Sequence, residues 1–297
     1  MAYGARILAD SISPESGVRL TTFEVTFPRL VLAEMNTHRV LSRNSASSRA
    51  IPVKKAIGMV REDPFVPEAF VQNQPGMSGD FVLEDWKADA AKITWHAAKW
   101  AALGAATALD RLELHKALAN RILEPFKWHT AIITATEWDN FLALRTDKNA
   151  QPEIRRTAVE MQDLLALHTP MTVKPGEWHL PLVRREEITK YPGDMTGPCR
   201  TDWELGKKLS VGRCARVSYL THDGKRDFEK DIELHDRLMG NGHLSPFEHV
   251  ATPLALKPPP SRKNRYNWSG NFFAWHQYRK DIPYEDNFAE AVSHVSG

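Results

Sequence analysis

Asn36-Thr37-His38-Arg39-Val40-Leu41-Ser42-Arg43-Asn44-Ser45-Ala46-Ser47-Ser48-Arg49 gathers three guanidiniums, one imidazole and four serines into fourteen residues. Guanidiniums offer paired N–H donors and serines add hydroxyls, which is a donor set for gripping an anion. Between Met35 and Arg61 there is no Asp or Glu, whereas Arg39, Arg43, Arg49, Lys54, Lys55 and Arg61 all carry positive charge. The whole chain is nearly balanced, with 39 basic and 37 acidic residues. A local basic excess on a balanced protein points to a small anionic ligand rather than a long polyanion, which asks for a broad basic face. A solvated Ser/Arg loop is the alternative reading of the same composition.

With 297 residues, 42% of them hydrophobic, the chain can bury roughly three quarters of its unfolded surface. A single domain is therefore expected, with room for an insertion. The two cysteines, Cys199 and Cys214, form no Cys-x-x-Cys and no metal-spaced pairing with His, which reads as a reducing, cytoplasmic setting without structural zinc. No histidine spacing supports a metal site. The N-terminus lacks an apolar signal region, and the most apolar window, Ile93 to Leu109, contains His96 and Lys99 and is too short to span a membrane.

Residues 5–11 and 18–27 read as strands, the second alternating Phe23, Val25 and Phe27 with Thr22, Glu24 and Thr26. Pro28 opens a helix that delivers His38 and Arg39 at its end, and Pro52 opens a second, Lys- and Arg-rich one. The Pro- and Gly-containing stretch 63–81 reads as a loop. A long helix follows over about 83–112, whose stripe of Trp86, Ile93, Ala97, Trp100 and Leu103 is expected in the core or at a subunit interface. Trp128 to Thr134 reads as a strand, 136–145 as a helix, and Pro152 to His168 as an amphipathic helix with Ile154, Ala158, Met161, Leu164 and Leu165 on one side. Residues 184–202 form a charged connector. Beyond it come a helix over about 227–239, a helix-end turn at Gly240-Asn241-Gly242, a strand over 251–257, and a helix over 270–280 to which no role is assigned, with Arg279 and Lys280 solvated.

The motifs resemble those of the flavin-dependent thymidylate synthases. That family's signature runs Arg-His-Arg, seven residues, Ser, and an Arg two further on; here Thr37-His38-Arg39 stands for the triplet, followed by Ser47 and Arg49. Asn120-Arg121-Ile122-Leu123-Glu124-Pro125, Phe141-Leu142-Ala143-Leu144-Arg145 and Ala150-Gln151-Pro152-Glu153-Ile154 resemble three more family segments in the same order. The block Gly212-Arg213-Cys214-Ala215-Arg216-Val217-Ser218-Tyr219 and the block Gly242-His243-Leu244-Ser245-Pro246-Phe247-Glu248-His249 also resemble family segments, but in the family they precede the triplet. The chain therefore reads as one domain over 1–297 in circularly permuted order: nucleotide-binding blocks in 1–183, the connector 184–202, and a flavin-side block in 203–297.

The resemblance implies an α+β fold with a mixed, largely antiparallel sheet and long helices, and sites shared in a homotetramer. It implies reductive methylation of deoxyuridylate to thymidylate, with FAD, methylenetetrahydrofolate and NADPH. By resemblance, Arg49 and Arg121 hold the nucleotide phosphate, Ser47 lines the same turn with a catalytic part, and Arg145 stabilises charge on the uracil. The flavin side falls to His38, Arg39, Ser42, Asn44, His243, Ser245 and Glu248, with Asn149 where the family has a histidine. No Gly-x-Gly-x-x-Gly follows a strand, so no dinucleotide fingerprint contributes.

Departures fall on the flavin and folate side. Thr37 replaces an arginine, Ser45 a glutamate, Thr134 and Thr136 an asparagine and an arginine. Another C5 modification of a pyrimidine nucleotide, such as hydroxymethylation, suits the same residues. A different class of reading is a non-catalytic nucleotide or nucleic-acid binder using the Ser/Arg stretch and the 257–265 loop. Near-zero net charge and the lack of a nucleic-acid motif weigh against nucleic acid.

Overall fold

Two alternating strands open the chain and set its framework. In the computed structural model, which describes residues 3–75, 81–189, 202–217, 227–256, 260–285 and 287–295, β1 (Gly4–Ile12) pairs antiparallel with β2 (Arg19–Pro28). With β3 (Ser42–Ser45), β4 (Trp128–Ala135) and β5 (Met171–Thr172) they form a five-stranded sheet in the order β3-β4-β2-β1-β5, in which only the β1–β5 pair is parallel. The fold is thus α+β with a mixed, mostly antiparallel sheet.

β2 is buried on both faces. Phe23, Val25 and Phe27 enter a core with Ile133 of β4 and with Ile154, Ala158 and Met161 of a later helix, so the period-2 stripe of one element meets the period-3.6 stripe of the other. The opposite face carries Thr22, Thr134 and Ile132, also fully buried. Ile132 packs there on Cys214 and Val217 from the C-terminal block.

The helices in chain order are α1 (Leu32–Asn36), α2 (Val53–Glu62), α3 (Asp85–Arg111), α4 (Lys116–Ala119), α5 (Asp139–Arg145), α6 (Pro152–Leu167), α7 (Arg185–Thr189), α8 (Asp202–Arg216), α9 (Phe228–Gly240) and α10 (Phe288–Val295). Pro28 ends β2, and a 3₁₀ turn, Arg29–Val31, leads into α1. Pro52 and Gln151-Pro152 start α2 and α6, where a fixed φ and a missing N–H cost nothing. The connector splits, with α7 inside 184–189 and residues 190–201 outside the described residues. No helix among the described residues is long and apolar enough to cross a membrane.

Two sequence expectations are corrected. Of the α3 stripe, Leu103 is core within the chain, whereas Trp86, Ile93 and Trp100 are 67%, 70% and 56% exposed, which corrects the core reading for these three and leaves the subunit-interface reading as it stood. Lys99, Ala102, Leu103 and Ala106 form the buried face instead, against α2 and the 3₁₀ turn Asn120–Phe126. Small alanines on either side of Leu103 let that helix approach closely. The second correction is 270–280, which is no helix. After β6 (Ala251–Pro253) come β7 (Trp268–Ser269), β8 (Phe272–Phe273), β9 (Trp275–Gln277) and a 3₁₀ turn, Tyr278–Asp281. Gly270 at φ +57° and Ala274 at φ +60° break helical continuity, and the buried aromatics Phe272, Phe273 and Trp275 suit strands. Only 251–253 of the expected 251–257 strand forms, and residue 257 lies outside the described residues, as do Ser218 and Tyr219.

α8 and α9 cross at Gly212. A Cβ at that position would sit 2.3 Å from the Asp231 carbonyl oxygen. The fully buried Asp231 side chain accepts from Arg213 Nε at 3.0 Å and Arg216 Nε at 2.7 Å. Gly212→Ala is expected to lower unfolding free energy by about 1–3 kcal/mol through this overlap. Gly104→Ala in α3, where nothing lies within 4 Å, is expected to raise it by about 0.5–1 kcal/mol. Urea titration of both variants checks the opposite signs.

Candidate functional site

Among the described residues β3 is an edge strand paired only with β4, Ser42 facing Thr134 and Ser45 facing Ala131. Beyond it the chain turns, with Ala46 N–H bonded to the Thr130 carbonyl at 3.0 Å and Ala50 N–H to the Ser47 carbonyl at 3.0 Å. That turn carries Ser47 and Arg49. The facing wall comes from the end of α9, where Gly242 adopts φ +67°. Its N–H reaches the Met239 carbonyl at 3.2 Å and the His243 N–H reaches the Leu238 carbonyl at 2.9 Å, the paired bonds of a helix end that needs glycine. His243 and Ser245 follow directly.

Between these walls lies an open cleft of about 360 Å³ lined by Arg43, Asn44, Ser45, Ser47, Arg49, Ala215, Leu238, His243, Ser245 and Pro246. Five residues singled out in the sequence therefore meet there: Asn44, Ser47 and Arg49 from one block, His243 and Ser245 from the other. Asn44 joins the walls. Its Nδ2 donates to the Cys214 carbonyl at 2.9 Å and its Oδ1 accepts from Ser245 Oγ at 3.4 Å, across 201 positions of sequence.

His38 and Arg145 form a second group beside the cleft. Arg145 Nε donates to His38 Nε2 at 2.9 Å, and Nη2 donates to Thr37 Oγ1 at 3.0 Å and the Glu34 carbonyl at 3.2 Å. Guanidinium has no acceptor, so His38 is neutral with its proton on Nδ1. Burial, with Arg145 and Arg43 nearby, pulls its pKa below the ordinary histidine value. The ring stands edge-on to Phe141 at 5.0 Å. Thr37, where the family has arginine, thus gives Arg145 an acceptor.

Other candidates stand outside the cleft lining. Arg121 pairs with Glu124 at 2.9 Å, and the same carboxylate oxygen accepts from Ser48 Oγ at 2.7 Å, which ties Arg121 behind the Ser47–Arg49 turn. Ser42 is buried and accepts from Gln277 Nε2 at 3.0 Å and Asn271 Nδ2 at 3.4 Å. Glu248 pairs with Arg279, which also bonds Glu285 at 2.8 Å, so Arg279 is not merely solvated. Arg39 is exposed, and the exposed Asn149 bonds Asp147 through its N–H and Nδ2 at 2.8 and 2.9 Å. Sequence reasoning missed Arg43, Gln277 and Arg279. For Arg43 a signal existed in its position between Ser42 and Asn44, but the motif leaves that place unspecified.

Behind the cleft a buried chain of hydrogen bonds crosses the sheet. Ser11 Oγ meets His179 Nδ1 at 2.7 Å, His179 Nε2 meets Thr22 Oγ1 at 2.8 Å, Thr22 meets Thr134 at 2.7 Å, and Thr134 meets His249 Nδ1 at 2.8 Å. Thr136 is likewise occupied, accepting from the Phe273 N–H at 3.0 Å.

A family model described as thymidylate synthase complementing protein matches residues 19–171, just over half of the chain. The chain belongs to that family. The segment carrying His243 and Ser245 lies beyond the matched residues. A flavin-dependent thymidylate synthase from Thermotoga neapolitana is 44% identical over 55 residues, which are 18% of this chain and 24% of that protein. The matched stretch thus spans about a quarter of that relative's length. Among solved structures, a UMP/dUMP methylase PolB from Streptomyces cacaoi bound with 5-Br UMP aligns at TM-score 0.46 and 18% identity, covering 56% of this chain and 89% of that one. The same methylase bound with 5-Br dUMP aligns at 0.41 and 21% identity, covering 50% and 67%.

Burial pushes His129, His179 and His249 down to about 3. Their folded pKa values lie below the unfolded value of about 6.5, so the unfolded state takes protons first as pH falls. Their contribution is complete above pH 6.5 and is lost toward pH 3, by about 1.4 kcal/mol per pH unit for each histidine. Unfolding at pH 5 is expected to take up about three protons on these imidazoles besides those on carboxylates, read from the slope of unfolding free energy against pH.

Proposed function

We propose that this chain is a flavin-dependent enzyme that methylates deoxyuridylate at C5, with methylenetetrahydrofolate as carbon donor and NADPH as reductant. The observation that carries the reading is the cleft, where two blocks far apart in sequence, each resembling the family's motifs, converge on one cavity. The same convergence supports a single domain in permuted block order.

The lining suits the ligands. One wall offers guanidiniums, hydroxyls and an amide, and the other offers Ala215, Leu238 and Pro246 beside His243 and Ser245. A molecule with an anionic end and a flat apolar body, such as a pyrimidine nucleotide or FAD, matches that division. Bound flavin supplies the hydride. Arg49 and Ser47 hold phosphate through charge-assisted bonds. Arg145, set by neutral His38 and by Thr37, meets negative charge developing on the uracil carbonyls, where a fixed guanidinium needs little reorganisation. The fully buried Cys214 has its thiol pKa raised by burial, so it serves as no nucleophile.

Arg145, Arg39 and Asn149 lie outside the cleft lining of their own chain, which supports a site completed between copies in a homotetramer. Thr134 and Thr136, two departures from the family pattern, are spent on internal bonds. That observation favours altered handling of the carbon donor, so hydroxymethylation at C5 stands as the second reading. The nucleic-acid alternative loses support because Arg262 pairs with Glu137 and lies over the Phe273 ring at 4.7 Å.

Protein supplied with FAD and desalted is expected to keep a flavin spectrum that shifts on adding deoxyuridylate; absence of flavin with and without the nucleotide overturns the reading. Arg49→Ala and Arg145→Ala are each expected to lower kcat/KM by about a hundredfold or more. Mixed after subunit exchange, they are expected to regain part of the activity, and exchanged mixtures that stay inactive rule out a shared site.

A further inference from the structure

Guanidiniums in a protein interior are usually matched by carboxylates, and four arginines outside the cleft lining follow that pattern. Arg279 pairs with Glu248, Arg121 with Glu124, and Arg213 and Arg216 with Asp231. Arg43 differs. Its Nη1 donates to the His38 carbonyl at 2.7 Å and the Met35 carbonyl at 3.2 Å, two acceptors without net charge. Among the described residues no hydrogen bond engages its Nη2 or Nε, and no salt bridge neutralises it. Glu248 acts on it at longer range, but that carboxylate is bonded to Arg279.

The group is half-buried and lines the cleft beside Ser45, Ser47 and Arg49. One arm of the planar fork is fixed by backbone, so the remaining donors are held in place without a partner. A preorganised guanidinium with two open donors matches the oxygens of a phosphoryl group, and little rotamer freedom remains to be lost on binding.

We propose that Arg43 is a phosphate-binding residue of this cleft, acting with Arg49, and that it supplies the cation lost where Thr37 replaces the family's arginine. The inference rests on the functional reading above. An arginine at 37 would stand against Arg145, whose Nη2 already bonds the Thr37 hydroxyl at 3.0 Å. Position 43 lies at the same end of α1, reached through the His38 and Met35 carbonyls, but is turned into the cleft. The positive charge is thereby kept while Arg145 is left its acceptor.

The phosphoryl group has two sources, the monophosphate of the nucleotide and the pyrophosphate of the flavin. Full-length wild-type, Arg43→Gln and Arg43→Lys proteins are titrated with FAD and with deoxyuridylate separately, following flavin fluorescence and binding heat. Arg43→Gln is expected to lose about tenfold or more in affinity for one of the two, with Arg43→Lys between it and wild type. The weakened ligand identifies the source. The deficit is expected to shrink in high salt, since it is a loss of charge. Should Arg43→Gln fail to fold, as judged by its melting curve, Arg43→Lys decides the matter through an expected loss of about threefold or more from the broken fork. Variants that bind both ligands as wild type does overturn the inference and leave the functional reading standing. Wild-type protein that binds neither ligand overturns both.

Discussion

One primary amide joins the two halves of the cleft. Asn44 leaves β3 on a buried face, gives its N–H to the Cys214 carbonyl on α8, and takes the Ser245 hydroxyl on its oxygen. Asparagine is one of the few side chains that can donate and accept at once from a short stem. An aspartate of nearly the same shape would lose the donor, and an aliphatic residue both bonds. Because α8 is locked to α9 through Gly212 and Asp231, whatever holds α8 to β3 also holds the turn that carries His243. The cleft is therefore a joint between the sheet edge and the α8–α9 pair.

The segment 270–280 closes that joint from the side. Gln277 reaches Ser42 on β3 at 3.0 Å and the Glu248 carbonyl at 3.4 Å, while Arg279 takes the Glu248 carboxylate. Ser42 and Glu248 resemble ligand-contacting residues by motif, yet here both are anchored to this brace. Their bonds turn β3 and the 3₁₀ turn Ser245–His249 toward each other.

Much of this was legible in the sequence, and for identifiable reasons. The alternation of Phe23, Val25 and Phe27 and the stripe of Ile154, Ala158 and Met161 are local periodicities, which survive folding because each element buries one continuous stripe. Pro28, Pro52 and Pro152 marked boundaries through their fixed φ. The cleft residues were legible as motifs, but their meeting was not, since it depends on a sheet edge and a helix end set together by tertiary packing. The 270–280 segment misled because its aromatics recur at spacings a helix also allows, and only burial on all sides and two positive φ values distinguish the strands. As a core signal the α3 stripe misled at Trp86, Ile93 and Trp100, which face outward within the chain, while Leu103 of the same stripe is buried beside Ala102 and Ala106. The bond that ties Arg121 to Glu124 had a visible trace in the i,i+3 spacing.

The buried chain from Ser11 to His249 has a consequence of its own. Every hydroxyl along it owns a single hydrogen and every neutral imidazole a single N–H, so with each threonine hydrogen spent inside the chain the bonds run all in one direction or all in the other. Among the described residues His249 Nε2 has no partner. A run toward His249 would put a hydrogen on that nitrogen with nothing to receive it, whereas a run toward Ser11 leaves it a bare lone pair, the less costly orphan. The sheet thus selects one polarity for the whole wire. The tautomers of His179 and His249 are settled together, on opposite sides of β2 and β4 hydroxyls that neither histidine shares with the other.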